Sequence, residues 1–140
     1  SIETLANAMD VGNASNMERL ISMFGNVEAL KGAISAKSVS DKSIKEEIKN
    51  CHRSASIVVC PHTATASYIY NNLDETSKKN HWIIVATAHP AKFDEVVEPL
   101  IGTSVDVPNE LELMLNRQSQ VYNIDPTMTD FINIINSKLD

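Results

Sequence analysis

Two short runs of consecutive apolar residues, 56–60 and 82–87, constrain the fold of this chain most. The runs have the sequences SIVVC and WIIVAT and are rich in β-branched residues. Continuous apolar sequence is typical of a parallel strand that is buried on both faces. Between the runs, residues 63–75 have apolar positions at helical spacing. A strand, a helix and a strand in succession predict a βαβ unit over residues 56–87.

The rest of the chain predicts mainly helices. In the helix that begins near residue 40, Ile44 and Ile48 are expected to face the core, whereas Glu46 and Glu47 are expected to be solvated. Ser15 begins an S-x-x-E capping box that suits the start of a helix. The predicted helices cover residues 17–24 (ended by Gly25), 27–37, 40 onward, 90–101 (ended by Gly102), 109–115 and 126 onward.

The fold class that follows is α/β, with a partial parallel sheet flanked by helices and a helix-rich chain overall. Residues 120–124 add at most a short edge strand. Because a buried strand needs neighbours for its N–H and C=O groups, we expect the rest of the sheet to lie outside this sequence. We predict a helical subregion over residues 1–54 and an α/β portion over residues 55–140.

Composition excludes several classes of protein. The 140 residues include 18 acidic and 12 basic residues, and the net charge of −6 argues against binding to a phosphate backbone. No apolar run approaches the roughly 18 residues of a membrane helix, and the amino terminus does not look like a signal peptide. Cys51 and Cys60 are too few for a disulfide framework. We therefore expect a cytoplasmic protein without nucleic-acid or membrane partners.

Candidate site residues lie where the two predicted strands end, in the segments 60–64 (CPHTA) and 87–90 (TAHP). Ligands of open parallel sheets bind at the carboxyl ends of the strands, and helix amino termini attract anions. Cys60, His62 and His89 are conceivable zinc ligands, but the C-x-H spacing is poor and no second Cys/His pair supports it, so no metal is predicted.

Other interpretations of these residues stay open. Cys60 and His89 would suit a nucleophilic pair, although a cysteine at the end of a buried strand is more often a small core residue. His62 and His89 would equally suit capping and ordinary hydrogen bonding. Lys92 invites a Schiff-base interpretation, but a lysine in the first turn of a helix is commonly solvated. Arg19 is most simply a surface charge.

Three motifs, in order, resemble those of the threonine synthase family. Residues 7–16 (NAMDVGNASN), followed by Glu18 and Arg19, are similar to a family stretch of the form NAMDVGxPSNxER, with Ala14 in place of proline. Residues 60–64 (CPHTA) are similar to its PHTA turn, and residues 87–93 (TAHPAKF) to its TAHPAKF motif. The resemblance covers residues 7–93, and beyond them it concerns only a general helical pattern.

The resemblance implies a fold-type II enzyme that depends on pyridoxal 5′-phosphate. Such enzymes convert O-phosphohomoserine and water to L-threonine and phosphate. The family's lysine that forms the internal aldimine and its glycine-rich phosphate loop lie in earlier segments that this sequence does not contain. We therefore expect a carboxy-terminal part of the enzyme that has no catalytic residue of its own, binds no cofactor alone, is inactive alone, and needs the missing amino-terminal part as a partner.

The resemblance also implies roles for individual residues. Thr87 is expected to contact the pyridine nitrogen of the cofactor. By the same matches, the remaining assignments are Ala88 and His89 in the cofactor pocket, Cys60, Pro61 and His62 in the neighbouring wall, and Asn7 and Asp10 toward the substrate.

Two other functions remain as alternatives. One is a free-standing α/β binding or interaction module that shares these motifs, and the other is a part of a different fold-type II lyase. If the predicted strands have no neighbours, their exposed edges are expected to favour self-association.

Overall fold

The computed structural model describes residues 2–139, with side chains up to residue 137. Within this range the chain forms α-helices joined by loops and by short 3₁₀ turns. The α-helices are α1 (Met17–Phe24), α2 (Val27–Ala33), α3 (Asp41–Ala55), α4 (Pro61–Asn71), α5 (Asp94–Ile101), α6 (Asn109–Leu115) and α7 (Met128–Leu139). The 3₁₀ turns are Asn7–Met9, Ser77–Lys79 and Pro90–Phe93.

The chain divides into two compact units, residues 1–106 and 107–140. In the first unit, α3 packs against α4 and α5. The buried core consists of Ala6, Ile44, Ile48, Ala64 and Val97. The inward positions predicted for Ile44 and Ile48 are thereby confirmed, because both side chains are almost completely buried.

The second unit contains α6 and α7. Apolar side chains along α7 are largely accessible, and Met128, Phe131 and Ile132 are all exposed. The helix predicted at this end of the chain is confirmed. The apolar stripe that predicted it is not buried within the described part of this unit.

Local sequence explains where several helices begin and end. The Asn26 and Ser40 side chains accept hydrogen bonds from backbone N–H groups in the first turns of α2 and α3. Gly25 and Gly102 follow α1 and α5 with φ angles of 82° and 75°, which a glycine adopts without the penalty of a Cβ atom. The predicted stops at both glycines are confirmed. The capping box at Ser15 is wrong, since Asn16 is the cap residue of α1 and its side chain makes no capping hydrogen bond.

The predicted partial parallel sheet is wrong, because residues 2–139 contain no strand. The segments 56–60, 82–87 and 120–124 are all irregular. A strand exists only as part of a hydrogen-bonded ladder, and none of these segments pairs with another described segment. The βαβ unit over residues 56–87 is therefore absent, and the described chain is helical rather than α/β.

The segment 82–87 shows what takes the place of a strand. Its apolar side chains are largely accessible, with Ile83 90 % exposed. Trp82 is held to the preceding turn by a hydrogen bond of 2.9 Å from its indole Nε1–H to the Ser77 carbonyl. Its ring and that of Tyr70 form a T-shaped pair with their centroids 6.5 Å apart. The continuous apolar pattern therefore marks an exposed segment here and not a buried one.

The boundary that the sequence predicts between a helical subregion and an α/β portion, at residues 54 and 55, stays a prediction. In residues 2–139 we find no helix with both the length and the apolar character needed to cross a membrane.

Candidate ligand-binding site

A cavity of about 760 Å³ lies in the first unit, where α3 and α4 meet the two irregular segments that precede α4 and the Pro90–Phe93 turn. Its volume falls in the range of about 300–1,000 Å³ that is usual for small-molecule pockets. Apolar and small residues from the two segments form much of its wall, namely Ile57, Val58, Val59, Cys60, Ile84, Ala86, Ala88 and Pro90. Polar groups come from Glu47, Asn50, Cys51, Ser54, Thr63, Ser67, Tyr70, Asn71 and His89.

The amino-terminal end of α4 forms one side of the cavity. Cys60 is fully buried and caps this helix, because its Sγ accepts a hydrogen bond from the Thr63 N–H at 3.5 Å. The Thr63 hydroxyl lies 3.3 Å from the same sulfur. Pro61 follows at the first helical position, where a missing N–H costs nothing. The predicted helix therefore begins two residues earlier than its apolar spacing indicated.

His89 caps the Pro90–Phe93 turn and also lines the cavity. Its Nδ1 accepts a hydrogen bond of 3.3 Å from the Ala91 N–H. An imidazole nitrogen that accepts in this way has no proton, so the neutral ring has its hydrogen on Nε2. His89 therefore has the capping role that was considered for it. Its Nε2–H remains available to donate a hydrogen bond.

Glu47 of α3 forms the polar end of the cavity and is 3 % exposed. Its Oε1 accepts hydrogen bonds of 2.6 Å from the Ser67 hydroxyl and 2.6 Å from Asn71 Nδ2, both on α4. The Cys51 thiol lies 3.6 Å from the same oxygen. The prediction that Glu47 is solvated is wrong. It faces α4, one helical turn from the buried Ile44, and its charge is compensated by hydrogen bonds.

Cys51 is the second cysteine at this cavity. Burial raises the pKa of the Cys51 thiol above the ordinary value of 9.0, and the negative Glu47 carboxylate raises it further, while the hydrogen bond with Ser67 acts in the opposite direction. A raised thiol pKa leaves little thiolate near neutral pH. Cys51 is therefore a poorly reactive thiol.

His62 lies beside the cavity wall and is 6 % exposed. Its Nε2 accepts a hydrogen bond of 3.1 Å from the Ala8 N–H, and its ring lies 4.9 Å from the Phe93 ring, centroid to centroid. Its Nδ1 is buried and has no hydrogen-bond partner among the described residues. A buried donor of this kind costs about 1–3 kcal/mol.

The structure brings together only some of the residues that the motifs single out. Cys60, Ala88 and His89 share the cavity wall. Thr87 is exposed and is not among the lining residues, although Ala86 and Ala88 on either side of it are. The assignment of these residues to a cofactor pocket stays a prediction.

The residues expected toward the substrate lie in and after the Asn7–Met9 turn. Asn7 is exposed, whereas the Asp10 carboxylate accepts hydrogen bonds of 2.6 Å from the Thr4 N–H and 2.7 Å from the Thr4 hydroxyl. These hydrogen bonds join Asp10 to Thr4 and so close a short loop around the Asn7–Met9 turn. Neither residue lines the cavity.

The structure also places the residues that were considered for metal binding and for lysine chemistry. Within the part of the chain that the structure describes, no group of three or more His, Cys, Asp or Glu side chains is placed to hold a metal ion. Lys92 and Arg19 are both exposed, as expected for solvated charges.

Sequence reasoning missed the polar end of the cavity. Residues 44, 47, 48 and 51 follow the i, i+3, i+4, i+7 spacing of a single helix face, and this spacing could have placed Glu47 and Cys51 with Ile44 and Ile48. Glu47 was instead expected to be solvated because its side chain is acidic. No comparable feature of the sequence indicated Ser67 or Tyr70.

The site as a whole belongs to a familiar class. A concave, mostly apolar cavity with a few convergent polar groups is typical of proteins that bind small molecules. Similarity to known proteins narrows this class.

The family model for the carboxy-terminal region of threonine synthase matches residues 63–135, which is more than half of the chain. Threonine synthase of Buchnera aphidicola subsp. Schizaphis graminum is 31 % identical over 126 residues, which cover 90 % of this chain and 29 % of that protein. Threonine synthase of Escherichia coli K12 is 31 % identical over 109 residues, which cover 77 % of this chain and 24 % of that protein. The chain belongs to the threonine synthase family and corresponds to its carboxy-terminal region.

The crystal structure of Escherichia coli threonine synthase has the same fold over the shared region. Its TM-score is 0.75 at 24 % sequence identity, with 96 % of this chain and 31 % of that chain covered. The chain thus spans less than a third of the length of these relatives.

Proposed function

We propose that this chain is the carboxy-terminal part of an enzyme that converts O-phosphohomoserine and water to L-threonine and phosphate with pyridoxal 5′-phosphate. The observation that supports this most is the family match over residues 63–135. That range includes the whole TAHPAKF segment and the last two residues of CPHTA. The relatives named above are all threonine synthases.

The cavity has a chemistry that fits an aromatic cofactor ring. Val58, Val59 and Ile84 provide apolar surface for a flat ring, and the small side chains of Ala86 and Ala88 leave room beside it. When bound, pyridoxal 5′-phosphate withdraws electrons from a substrate amino acid. We assign the ring-nitrogen contact to the Thr87 hydroxyl, which is exposed between the lining residues Ala86 and Ala88, and we place Ala88 and His89 in the pocket wall.

The polar residues of the cavity have complementary tasks in this proposal. His89 has its hydrogen on Nε2, so it can donate a hydrogen bond to an acceptor oxygen in the cavity. The amino-terminal end of α4, after Cys60 and Pro61, has partial positive charge and favours an anionic group. Together with His62, these residues form the wall next to the pocket.

Asn7 and Asp10 are assigned to the substrate side. Asp10 acts by holding the backbone that follows Asn7, because both of its carboxylate oxygens accept hydrogen bonds from Thr4. The exposed Asn7 amide is then available to a polar group of the substrate.

The proposal requires a partner. We propose that the chain acts in the cytoplasm, together with the amino-terminal segments of the enzyme, which provide the cofactor lysine and the phosphate loop. On its own the chain is expected to be inactive and to hold no cofactor.

A chimeric enzyme tests the proposal. The matching 31 % of Escherichia coli threonine synthase is replaced with this chain, and phosphate and threonine formation from O-phosphohomoserine is measured with added cofactor. The chimera is expected to be active, whereas the 140-residue chain alone and the truncated Escherichia coli part alone are expected to be inactive. A folded, cofactor-bound chimera that forms no threonine would contradict the proposal. Turnover of another amino acid instead would favour a different lyase, and cofactor binding by the chain alone would favour a free-standing binding module.

Substitution of Thr87 in that chimera tests the assignment of the ring contact. Thr87→Val removes the hydroxyl at nearly constant volume and is expected to shift the cofactor absorbance and to lower kcat. Thr87→Ser keeps the hydroxyl and is expected to retain both. Thr103→Val, at another exposed threonine, is the matched control. An unchanged spectrum and rate in Thr87→Val would remove Thr87 from the site.

A further inference from the structure

Three distant segments of the chain meet at the imidazole of His62. Its Nε2 accepts a hydrogen bond from the backbone N–H of Ala8, which lies 54 positions earlier in the sequence. The ring packs against Phe93, in the Pro90–Phe93 turn. His62 itself belongs to the first turn of α4. The contact therefore joins the Asn7–Met9 turn, the start of α4 and the turn that follows the Thr87–His89 segment.

The hydrogen bond from Ala8 also determines the protonation of the ring. Nε2 can accept from an N–H only while it has no proton, so the hydrogen-bonded ring is neutral. The neutral ring must then have its hydrogen on Nδ1. The Nδ1 hydrogen is buried and has no acceptor among the described residues, so no hydrogen bond at Nδ1 stabilises this tautomer. The hydrogen bond from the Ala8 N–H to Nε2 stabilises it.

The amino-terminal segment has two separate attachments to the helical core. The Leu5 N–H donates to Asp41 Oδ1 on α3 at 3.0 Å, and Ala6 is buried in the core. The bond from Ala8 to His62 joins the same segment to α4. Because Leu5 and Ala6 hold the segment independently, loss of the His62 bond is expected to shift the Asn7–Met9 turn without unfolding the unit.

We infer that His62, fixed as the neutral Nδ1–H tautomer by the Ala8 N–H, is the positioning residue that sets the place of the Asn7–Met9 turn relative to the start of α4. The inference about the contact stands on its own geometry. Its consequence for substrate binding rests on the proposed function, because it requires that Asn7 faces the substrate. His62 acts through the turn and is not itself a catalytic residue.

Nuclear magnetic resonance of the ¹⁵N-labelled 140-residue chain tests the contact directly. Long-range ¹H–¹⁵N correlation of the His62 ring is expected to show a protonated Nδ1 and an unprotonated Nε2 at neutral pH. A ring with its hydrogen on Nε2, or a doubly protonated ring, would overturn the inference. This measurement uses the unsubstituted protein and so does not depend on whether any variant folds.

Two substitutions separate the hydrogen bond from general packing. His62→Leu removes the acceptor, and amide hydrogen exchange at Ala8 is expected to accelerate by about tenfold, the loss expected for one hydrogen bond. His62→Gln places an amide oxygen near the position of Nε2 and is expected to keep exchange within about twofold of the original rate. His81→Leu, at an exposed histidine, is the matched control. Unchanged Ala8 exchange in His62→Leu would overturn the inference, as would equal acceleration in both His62 variants.

The consequence for substrate is measured in the chimeric enzyme described above. His62→Leu is expected to raise KM for O-phosphohomoserine by about tenfold with a smaller effect on kcat, and His62→Gln is expected to restore it. An unaltered KM in His62→Leu would overturn the consequence for substrate. If the unsubstituted chimera is inactive, the proposed function fails, and the spectroscopic and exchange results still decide the role of His62.

Discussion

The Ser67 hydroxyl on α4 donates a hydrogen bond of 2.6 Å to Oε1 of Glu47 on α3. Asn71 Nδ2, one turn farther along α4, donates to the same oxygen at 2.6 Å. This carboxylate lies next to the apolar contact of the two helices, where Ile44 and Ile48 are almost completely buried. A charged acceptor and two donors therefore fix the helix pair that forms both the core and one end of the cavity.

Glu47→Ala is expected to lower the free energy of unfolding by roughly 2–4 kcal/mol. The substitution leaves the buried Ser67 hydroxyl without its acceptor and removes a hydrogen bond to a charged group. Urea denaturation followed by circular dichroism measures the change.

Glu46→Ala is the matched control for that substitution. Glu46 is the preceding residue on the same helix, and its side chain is exposed in an ion pair with Lys49. Its removal is expected to change the stability by no more than about 0.5 kcal/mol. Equal effects of the two substitutions would show that the Glu47 hydrogen bonds do not stabilise the helix pair.

The Cys51 thiol is expected to react slowly with iodoacetamide, with a midpoint above pH 9.0 in its pH–rate profile. Burial, reinforced by the Glu47 carboxylate, raises the pKa of this thiol. Peptide mapping by mass spectrometry assigns the alkylation to Cys51. The urea-unfolded protein is the reference, in which the same thiol should titrate with its ordinary pKa. A midpoint at or below pH 9.0 in the folded protein would contradict the assignment.

The raised pKa of Cys51 also makes stability dependent on pH. Since the folded state binds the thiol proton more tightly than the unfolded state, this contribution is fully present below the ordinary pKa and is lost as the pH rises through the folded pKa. Stability should therefore decline above about pH 9 by more in the unsubstituted protein than in Cys51→Ala. Parallel declines would show that Cys51 is not responsible.

Asp74 is expected to titrate below its ordinary pKa of 3.8. The Ser77 hydroxyl and the Ser77 N–H both donate hydrogen bonds to its carboxylate, and these lower the pKa. The stabilisation of this turn is present above the ordinary pKa and is lost as the pH falls through the folded pKa. Carbon-detected nuclear magnetic resonance titration of the side chain measures the shift. Ser77→Ala should move the pKa back toward 3.8, and an unchanged pKa in this variant would show that Ser77 does not cause the shift.

Exposed apolar side chains are expected to make the isolated chain self-associate. Ile57, Ile83 and Val85 are all more than half exposed, and Ile83 is 90 % exposed. Contact between copies removes such accessible apolar surface from water and so favours association. The sequence predicted self-association through exposed strand edges. Because the described residues contain no strand, we now expect it through exposed apolar side chains.

Light scattering over a range of protein concentrations measures this self-association. Ile83→Lys is expected to shift the protein toward monomer, whereas Met23→Lys on α1, at a side chain that is 78 % exposed, is expected to have a smaller effect. A chain that is monomeric at all concentrations would show that these side chains do not mediate contacts between copies.

Local sequence determined much of the helical structure and the family. The stops at Gly25 and Gly102 and the inward positions of Ile44 and Ile48 were predictable, because capping and helical spacing depend on residues within about two turns of one another. The three motifs identified the family without any tertiary information. The helix stops and the inward positions depend on interactions between sequence neighbours, and the family depends on the motifs alone.

Only the tertiary structure decided the rest. The runs at 56–60 and 82–87 have strand-like composition, but a strand requires a hydrogen-bonded neighbour, and no described segment pairs with them. Likewise, the sequence determined that Glu47 has a charge, whereas its burial depended on donors from α4, which is distant in the chain. The meeting of Ala8 and His62 has the same origin, since long-range packing placed an acceptor beside a backbone N–H.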